Sequence, residues 1–204
     1  MKIIIVGGGI AGLSTYLHLR KFLPNFDSQT VIIYESHKPR TGIPTSESEP
    51  GLTNLEDLSS STAIVGGGLG LSPNGARILK NIDENLSEAV KAQGFVCETY
   101  TFKTARGHYL AKQPTTDKKS PPEFTVSTSR HGLWECLHKA VGEGKIQYRK
   151  VVDVDVSAPK PIVKFSDGEE EEADLVIGAD GVRSAVKKGI FGAENETTYA
   201  PHYE

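Results

Sequence analysis

The chain has 204 residues, 37% of them hydrophobic and 24% charged, so it can bury a core as one large or two small domains and is not composed like a disordered segment. Its formal net charge of -3 argues against a general binder of nucleic acid or of anionic membranes, since those partners require a surplus of Lys and Arg. A lysine and four apolar residues are all that stand between Met1 and the first glycines, too short a run for a signal peptide or a membrane span, so the expectation is a soluble cytoplasmic protein.

Lys2 to Val6 is a β-branched run ending at glycine, which suits a buried parallel strand. Gly7, Gly9 and Gly12 follow in the spacing G-x-G-x-x-G. Helical periodicity then runs through Ile10, Leu13 and Leu17, and through Ala11, Leu19 and Phe22, until Pro24 stops it. At such a strand-to-helix turn, Gly7 makes the tight turn, Gly9 lets the backbone approach a pyrophosphate, and Gly12 lets helix and strand pack closely. The free N–H groups of the helix start then face the negative charge. A second strand over Thr30 to Tyr34 ends on Glu35, placed to accept hydrogen bonds from an adenosine ribose. An acid there serves NAD or FAD equally and disfavours a 2′-phosphate on the adenosine.

The stretch TGIPTSESEPGLTNLEDLSSST reads as a long loop, either a cover near a ligand or a disordered insertion. A second IVGGG follows at Ile64 to Gly68, but the fingerprint would need glycine at position 71, where Leu71 stands. It reads instead as an extended segment that lets something flat approach the backbone. Ser72 is then a candidate N-cap and Pro73 a first helical residue, with Ala76, Ile78, Leu79 and Ile82 turned inward.

From Phe95 to Val126 short alternating runs, with a turn at Ala105, Arg106 and Gly107, predict antiparallel sheet. Arg130 opens a helix carrying Leu133, Leu137 and Val141. Ile146 to Val156 and Pro161 to Phe165 read as a strand pair, Glu169 to Glu172 as a solvated hairpin tip, and Ala173 to Ile177 as an apolar strand. Asp180 and Gly181 follow at that strand's C-terminal end, where α/β sheets bind ligands, and a helix is expected over 183 to 188. Cys97 and Cys136 belong to no CxxC and are expected as buried free thiols; the histidines show no zinc-ligand spacing, so no metal site is expected.

Taken together, GGGIAGL with Glu35, GGGLGLSPNG, Arg130 in RxxLxxxL, and DLVIGADGVRS resemble the N-terminal half of the FAD-dependent aromatic-hydroxylase family, the salicylate hydroxylase-like flavoprotein monooxygenases. The resemblance implies an α/β fold: a Rossmann-like FAD-binding parallel sheet with the beginning of an antiparallel substrate-domain sheet. It implies FAD-binding segments at 1–94 and 128–190, the start of the substrate-side sheet at 95–127, and a re-entry toward it at 191–204. Gly7, Gly9, Ala11 and Gly12 would meet the FAD pyrophosphate and Glu35 its ribose. Gly67 and Gly68 would lie beside the cofactor, Arg130 would contact the flavin nucleotide, and Asp180 with Gly181 would serve both FAD and reduced nicotinamide. NAD(P)H is then the co-substrate and a small aromatic or polyketide-like molecule the substrate.

The sequence departs from the family pattern in one large respect: no Gly-Asp dipeptide occurs, although the family holds the flavin phosphate and ribityl chain with one. A smaller departure is Lys187, where relatives commonly carry arginine. The expectation is therefore a truncated monooxygenase, a poor or inactive hydroxylase by itself and prone to self-association. The alternatives are a non-catalytic FAD-binding remnant and an NAD-dependent dehydrogenase, the latter leaving GADGVRS unexplained.

Overall fold

A computed structural model describes residues 1–38, 67–117, 119 and 121–192; the loop expected at 41–62, and all but the first two residues of the re-entry segment expected at 191–204, lie outside the described residues. The chain divides into two compact units, one formed by Met1–Thr41 with Val141–Glu204 and the other by Gly42–Ala140.

The first unit is organised around β1 (Lys2–Val6), which pairs in parallel with β2 (Thr30–Glu35) on one side and with the late strand Leu175–Gly178 on the other. Ile3, Ile4 and Ile5 are each 0% exposed, which explains the unbroken apolar run: a parallel strand covered on both faces has no solvent side to alternate toward. One cover is helix α1 (Ile10–Phe22), and the other face joins Tyr34, Val154, Val163, Phe165 and Val186 in one cluster. Each fully buried aliphatic side chain contributes about 1.5–3 kcal/mol. In α1 the buried residues are Gly12, Leu13, Tyr16 and Leu17, so the stripe expected through Ala11, Leu19 and Phe22 is corrected: Ala11 is exposed and Phe22 is 61% exposed. Tyr16, which that spacing omits, fills the place with its ring edge-on to Phe26.

The segment read as a single strand from 146 to 156 is two. Ile146–Tyr148 pairs in parallel with β2, while Val151–Asp155 joins an antiparallel three-stranded sheet with Ile162–Phe165 and Glu170–Glu172. Arg149 stands at the break, its guanidinium 3.8 Å over the Phe165 ring and paired with Asp167 and Glu169. The acidic run is also corrected in part. Glu171 points back into the unit, where it accepts the Tyr34 hydroxyl and pairs with Lys2 Nζ at 2.7 Å. Burial first, then the Glu171 hydrogen bond, pushes the Tyr34 phenol well above its ordinary value. The last described helix covers Ala185–Phe191, later than the expected 183 to 188.

In the second unit, β3 (Gly68–Leu71) and Phe95–Cys97 flank Thr125–Ser129, all antiparallel. From Gly68 the segment is thus an extended strand, as the failed fingerprint implies, while Ile64, Val65 and Gly66 lie outside the described residues. Helices Pro73–Ile82 and Glu84–Ala92 belong to this unit. Ala76, Leu79 and Ile82 are buried as expected, whereas Ile78 is 49% exposed. Thr99–Lys103 and Tyr109–Pro114 form an exposed hairpin, and helix Arg130–Val141 buries Leu133, Leu137 and Val141. Both cysteines are free; Cys136 is buried as expected and Cys97 only half so.

Candidate functional site

In the first unit the glycine loop is held by main-chain bonds from both neighbouring strands. The Gly7 N–H donates to the Tyr34 carbonyl at 2.7 Å, and the Ala179 N–H donates to the Val6 carbonyl at 2.7 Å. Gly7 sits at φ +105, and a Cβ there would lie 2.4 Å from the Ala179 carbonyl oxygen. At Gly12 a Cβ would lie 1.9 Å from the Gly7 carbonyl oxygen, so helix α1 approaches the loop as closely as only glycine allows. Gly9 differs from both: a Cβ there would meet nothing within 4 Å. Gly7 and Gly12 are required by the protein's own packing, while the space beside Gly9 is open.

Gly9 is also the N-cap of α1, with no side-chain cap and no acidic residue in the first turn, so no side chain of the protein offsets the positive end of the helix dipole there. Ala11 lies exposed in this turn.

Glu35, at the end of β2, is fixed by its neighbours. Its Oε2 accepts the Gly8 N–H at 2.6 Å, and its Oε1 accepts the His37 N–H at 3.0 Å, with Ser36 Oγ also at 3.0 Å. His37 Nδ1 is 3.7 Å from Oε1, an ionic contact only when the imidazole is protonated. A carboxylate offers about four lone-pair sites, so room remains for a further donor such as a ribose hydroxyl. Tyr148, opposite Glu35 across the sheet, has its phenol raised by burial and then by the Glu35 charge.

Asp180 turns toward the helix that follows it. Its Oδ1 accepts the Ser184 hydroxyl at 2.6 Å, and its Oδ2 accepts the Ala185 and Val186 N–H groups at 2.7 and 3.3 Å. Its backbone nitrogen is among the atoms nearest to Gly7. Gly181, at φ +78, completes the turn. The structure therefore brings Gly7, Gly12 and the Asp180 backbone together through Ala179, and joins Glu35 to the loop through Gly8.

In the second unit the Arg130 N–H donates to the Gly67 carbonyl at 3.0 Å, which ties the second glycine run to the start of helix Arg130–Val141. A Cβ on Gly67 or Gly68 would meet nothing within 4 Å. Ser129 caps that helix, its Oγ accepting the Gly132 N–H at 2.8 Å. Gly8, Ala179, Ser184 and Tyr34 join the site through neighbours brought close by the sheet and the turn after it; Gly8 stands inside the glycine triplet and Ala179 and Ser184 inside GADGVRS, while for Tyr34 the sequence offers only its place in a strand.

No protein-family model matches the chain. The dual trans-enoyl reductase/FAD-dependent monooxygenase tazHJ of Aspergillus terreus is 28% identical over 208 residues, covering 100% of this chain and 26% of the relative. The FAD-dependent monooxygenase pigN of Monascus ruber is 30% identical over 152 residues, 68% of this chain and 34% of the relative. At low identity, the chain is similar to part of these FAD-dependent monooxygenases. It spans about a quarter to a third of the length of these curated relatives. The fold agrees. The 2,6-dihydroxypyridine-3-hydroxylase of Arthrobacter nicotinovorans superposes with a TM-score of 0.65 at 24% identity, over 98% of this chain and 41% of that one.

Among the described residues no helix is long and apolar enough to cross a membrane, and no group of three or more His, Cys, Asp or Glu could hold a metal ion.

Proposed function

We propose that this chain supplies the FAD-binding part of a cytoplasmic FAD-dependent monooxygenase that hydroxylates a small aromatic or polyketide-like substrate with NAD(P)H and oxygen. The observation that carries the reading is the pairing of an open Gly9 at an uncapped helix start with a Glu35 fixed by the same loop. The residues present fit the adenosine and pyrophosphate end of a dinucleotide. Gly7 and Gly12 shape the turn, the N–H groups of α1 face the pyrophosphate, and Glu35 accepts from the ribose. Gly67, Gly68 and Arg130 are proposed to serve the flavin-side half, and Asp180 with Gly181 to set the loop against Gly7. FAD, when bound, supplies the redox chemistry; the protein binds it, orients it and keeps water from it.

That curated relatives include the 3-amino-4-hydroxybenzoate 2-monooxygenase of Streptomyces cremeus supports a small aromatic substrate. The test is a titration of the purified chain with FAD and with NAD, followed by product analysis with reduced nicotinamide and a panel of phenolic acids. Saturable FAD binding with weaker NAD binding is expected, with nicotinamide consumption yielding mainly hydrogen peroxide. Preferential NAD binding with no flavin uptake would make this a dehydrogenase-type domain. FAD binding without nicotinamide consumption would make it a non-catalytic remnant.

A further inference from the structure

The second unit contains a cavity of about 180 Å³ that no part of the dinucleotide reading uses. Val96, Pro121, Pro122, Phe124 and Val126 give it apolar walls, and Lys80, Lys91 and Glu123 supply its charges. The Glu123 side chain is 7% exposed. Lys80 Nζ lies 3.5 Å from its Oε1 and Lys91 Nζ 3.7 Å from its Oε2, both longer than the 2.7–3.2 Å typical of close N–H···O bonds. Two ammonium groups thus share one buried carboxylate without closing on it. Their other partners, Glu84 and Glu88, have side chains 73% and 64% exposed, where water and salt screen the pairing. Lys91 is held above the ordinary lysine value, first by its Glu88 hydrogen bond and, against the opposing cost of burial, by the Glu123 charge, so it is a cation at neutral pH.

From this geometry we infer that the cavity is a binding site for a small monocarboxylate with an apolar ring or short chain, separate from the dinucleotide loop. Within the lining Lys80 and Lys91 outnumber Glu123, while Glu84 and Glu88 pair with the same lysines from the exposed side, so the site can take a single negative charge and not a dianion. A ligand carboxylate can take the N–H donors that Lys80 and Lys91 direct only loosely at Glu123, and the proline and phenylalanine walls cover its apolar body. A neutral apolar molecule would gain nothing from the two ammonium groups. A bare inorganic anion would leave the walls wet.

The test is a titration followed by amide chemical shifts, with benzoate as the probe, benzyl alcohol as its uncharged counterpart and acetate as the carboxylate without a ring. Benzoate is expected to give saturable shifts at the amides of Lys80, Lys91, Val96, Glu123 and Val126, with affinity at least fivefold above either control. Lys91→Met, which keeps the apolar stem, should weaken benzoate at least tenfold. Val96→Trp, at an exposed wall position, should abolish binding without removing a charge, and it decides the matter if the lysine variant unfolds. Non-saturating shifts, equal binding of benzyl alcohol, or unchanged benzoate affinity in Val96→Trp would each overturn the assignment. This outcome does not depend on whether the chain binds FAD.

Discussion

The Glu35 carboxylate and the Gly8 amide are joined by a hydrogen bond of 2.6 Å between the end of β2 and the middle of the glycine loop. A Cβ on Gly8 would sit 3.0 Å from Glu35 Cβ, so the two residues are also in steric contact. The acid that sequence spacing assigns to a ribose is therefore also the clamp that sets the loop. Glu35→Ala removes both roles, and FAD affinity should fall by about 1.5–3 kcal/mol, roughly tenfold or more. Glu35→Gln keeps an acceptor for the Gly8 N–H but loses the charge, so its affinity should lie between. Titrations of the three proteins with FAD check this ordering; equal affinity in all three would remove Glu35 from the site.

The three fingerprint glycines should separate in their effects. Gly12→Ala drives a methyl group against the Gly7 carbonyl, and Gly7→Ala combines a clash with Ala179 and a positive φ. Each should cost about 3 kcal/mol or more in folding stability. Gly9→Ala meets nothing in the protein, so its melting temperature without ligand should stay near that of the parent while FAD affinity drops. Thermal melts with and without FAD distinguish the two classes. A Gly9→Ala protein that binds FAD normally would show that no ligand approaches there.

This contrast also marks what was legible in the sequence. The order of strand, glycine loop, helix, strand and acid could be read because each signal is local: a doubly covered strand is continuously apolar, and a close backbone approach demands glycine at a fixed place. Long-range pairings were not legible. Glu171 reads as one more solvated acid in a run of four, yet it answers Lys2 and Tyr34, which are distant in sequence. Ile146 to Val156 reads as one strand because no glycine or proline punctuates it, while the break falls where Arg149 meets Phe165, Asp167 and Glu169. At the site, Asp180 was legible as an Asp-Gly turn after an apolar strand, but not the helix N–H groups that occupy its carboxylate.

Because those oxygens already take three donors, Asp180 should act mainly through the shape of its turn. Asp180→Ala strands the Ser184 hydroxyl and two helix N–H groups, a loss of about 1–2 kcal/mol in stability. Asn caps helices about as well as Asp, so Asp180→Asn should cost less than about 1 kcal/mol and leave FAD affinity nearly unchanged. Denaturation curves paired with FAD titrations read both quantities. A stable Asp180→Asn protein with tenfold weaker FAD binding would instead assign the charge itself to the cofactor.

The second unit carries a pH dependence of its own. Arg77 Nε and Nη2 meet the Asp117 oxygens at 2.7 and 3.1 Å, and Nη2 also reaches the Pro121 carbonyl at 2.9 Å. The Arg77 hydrogen bond, assisted against burial by the Glu123 and Lys119 backbone N–H groups, holds the Asp117 carboxyl down at about 2, below its ordinary 3.8. A folded-state value below the unfolded one means that the pairing stabilises the folded state fully above the unfolded value and is lost as pH falls toward the folded one. The difference in urea midpoint between the parent and Asp117→Asn should therefore be constant from roughly pH 5 upward, shrink below about pH 4, and vanish near about pH 2. Trp134, the only tryptophan, lies in the same unit and reports its unfolding by fluorescence. A midpoint difference that grew on acidification would reverse the sign of the linkage and show that Asp117 is not stabilised as an anion by Arg77.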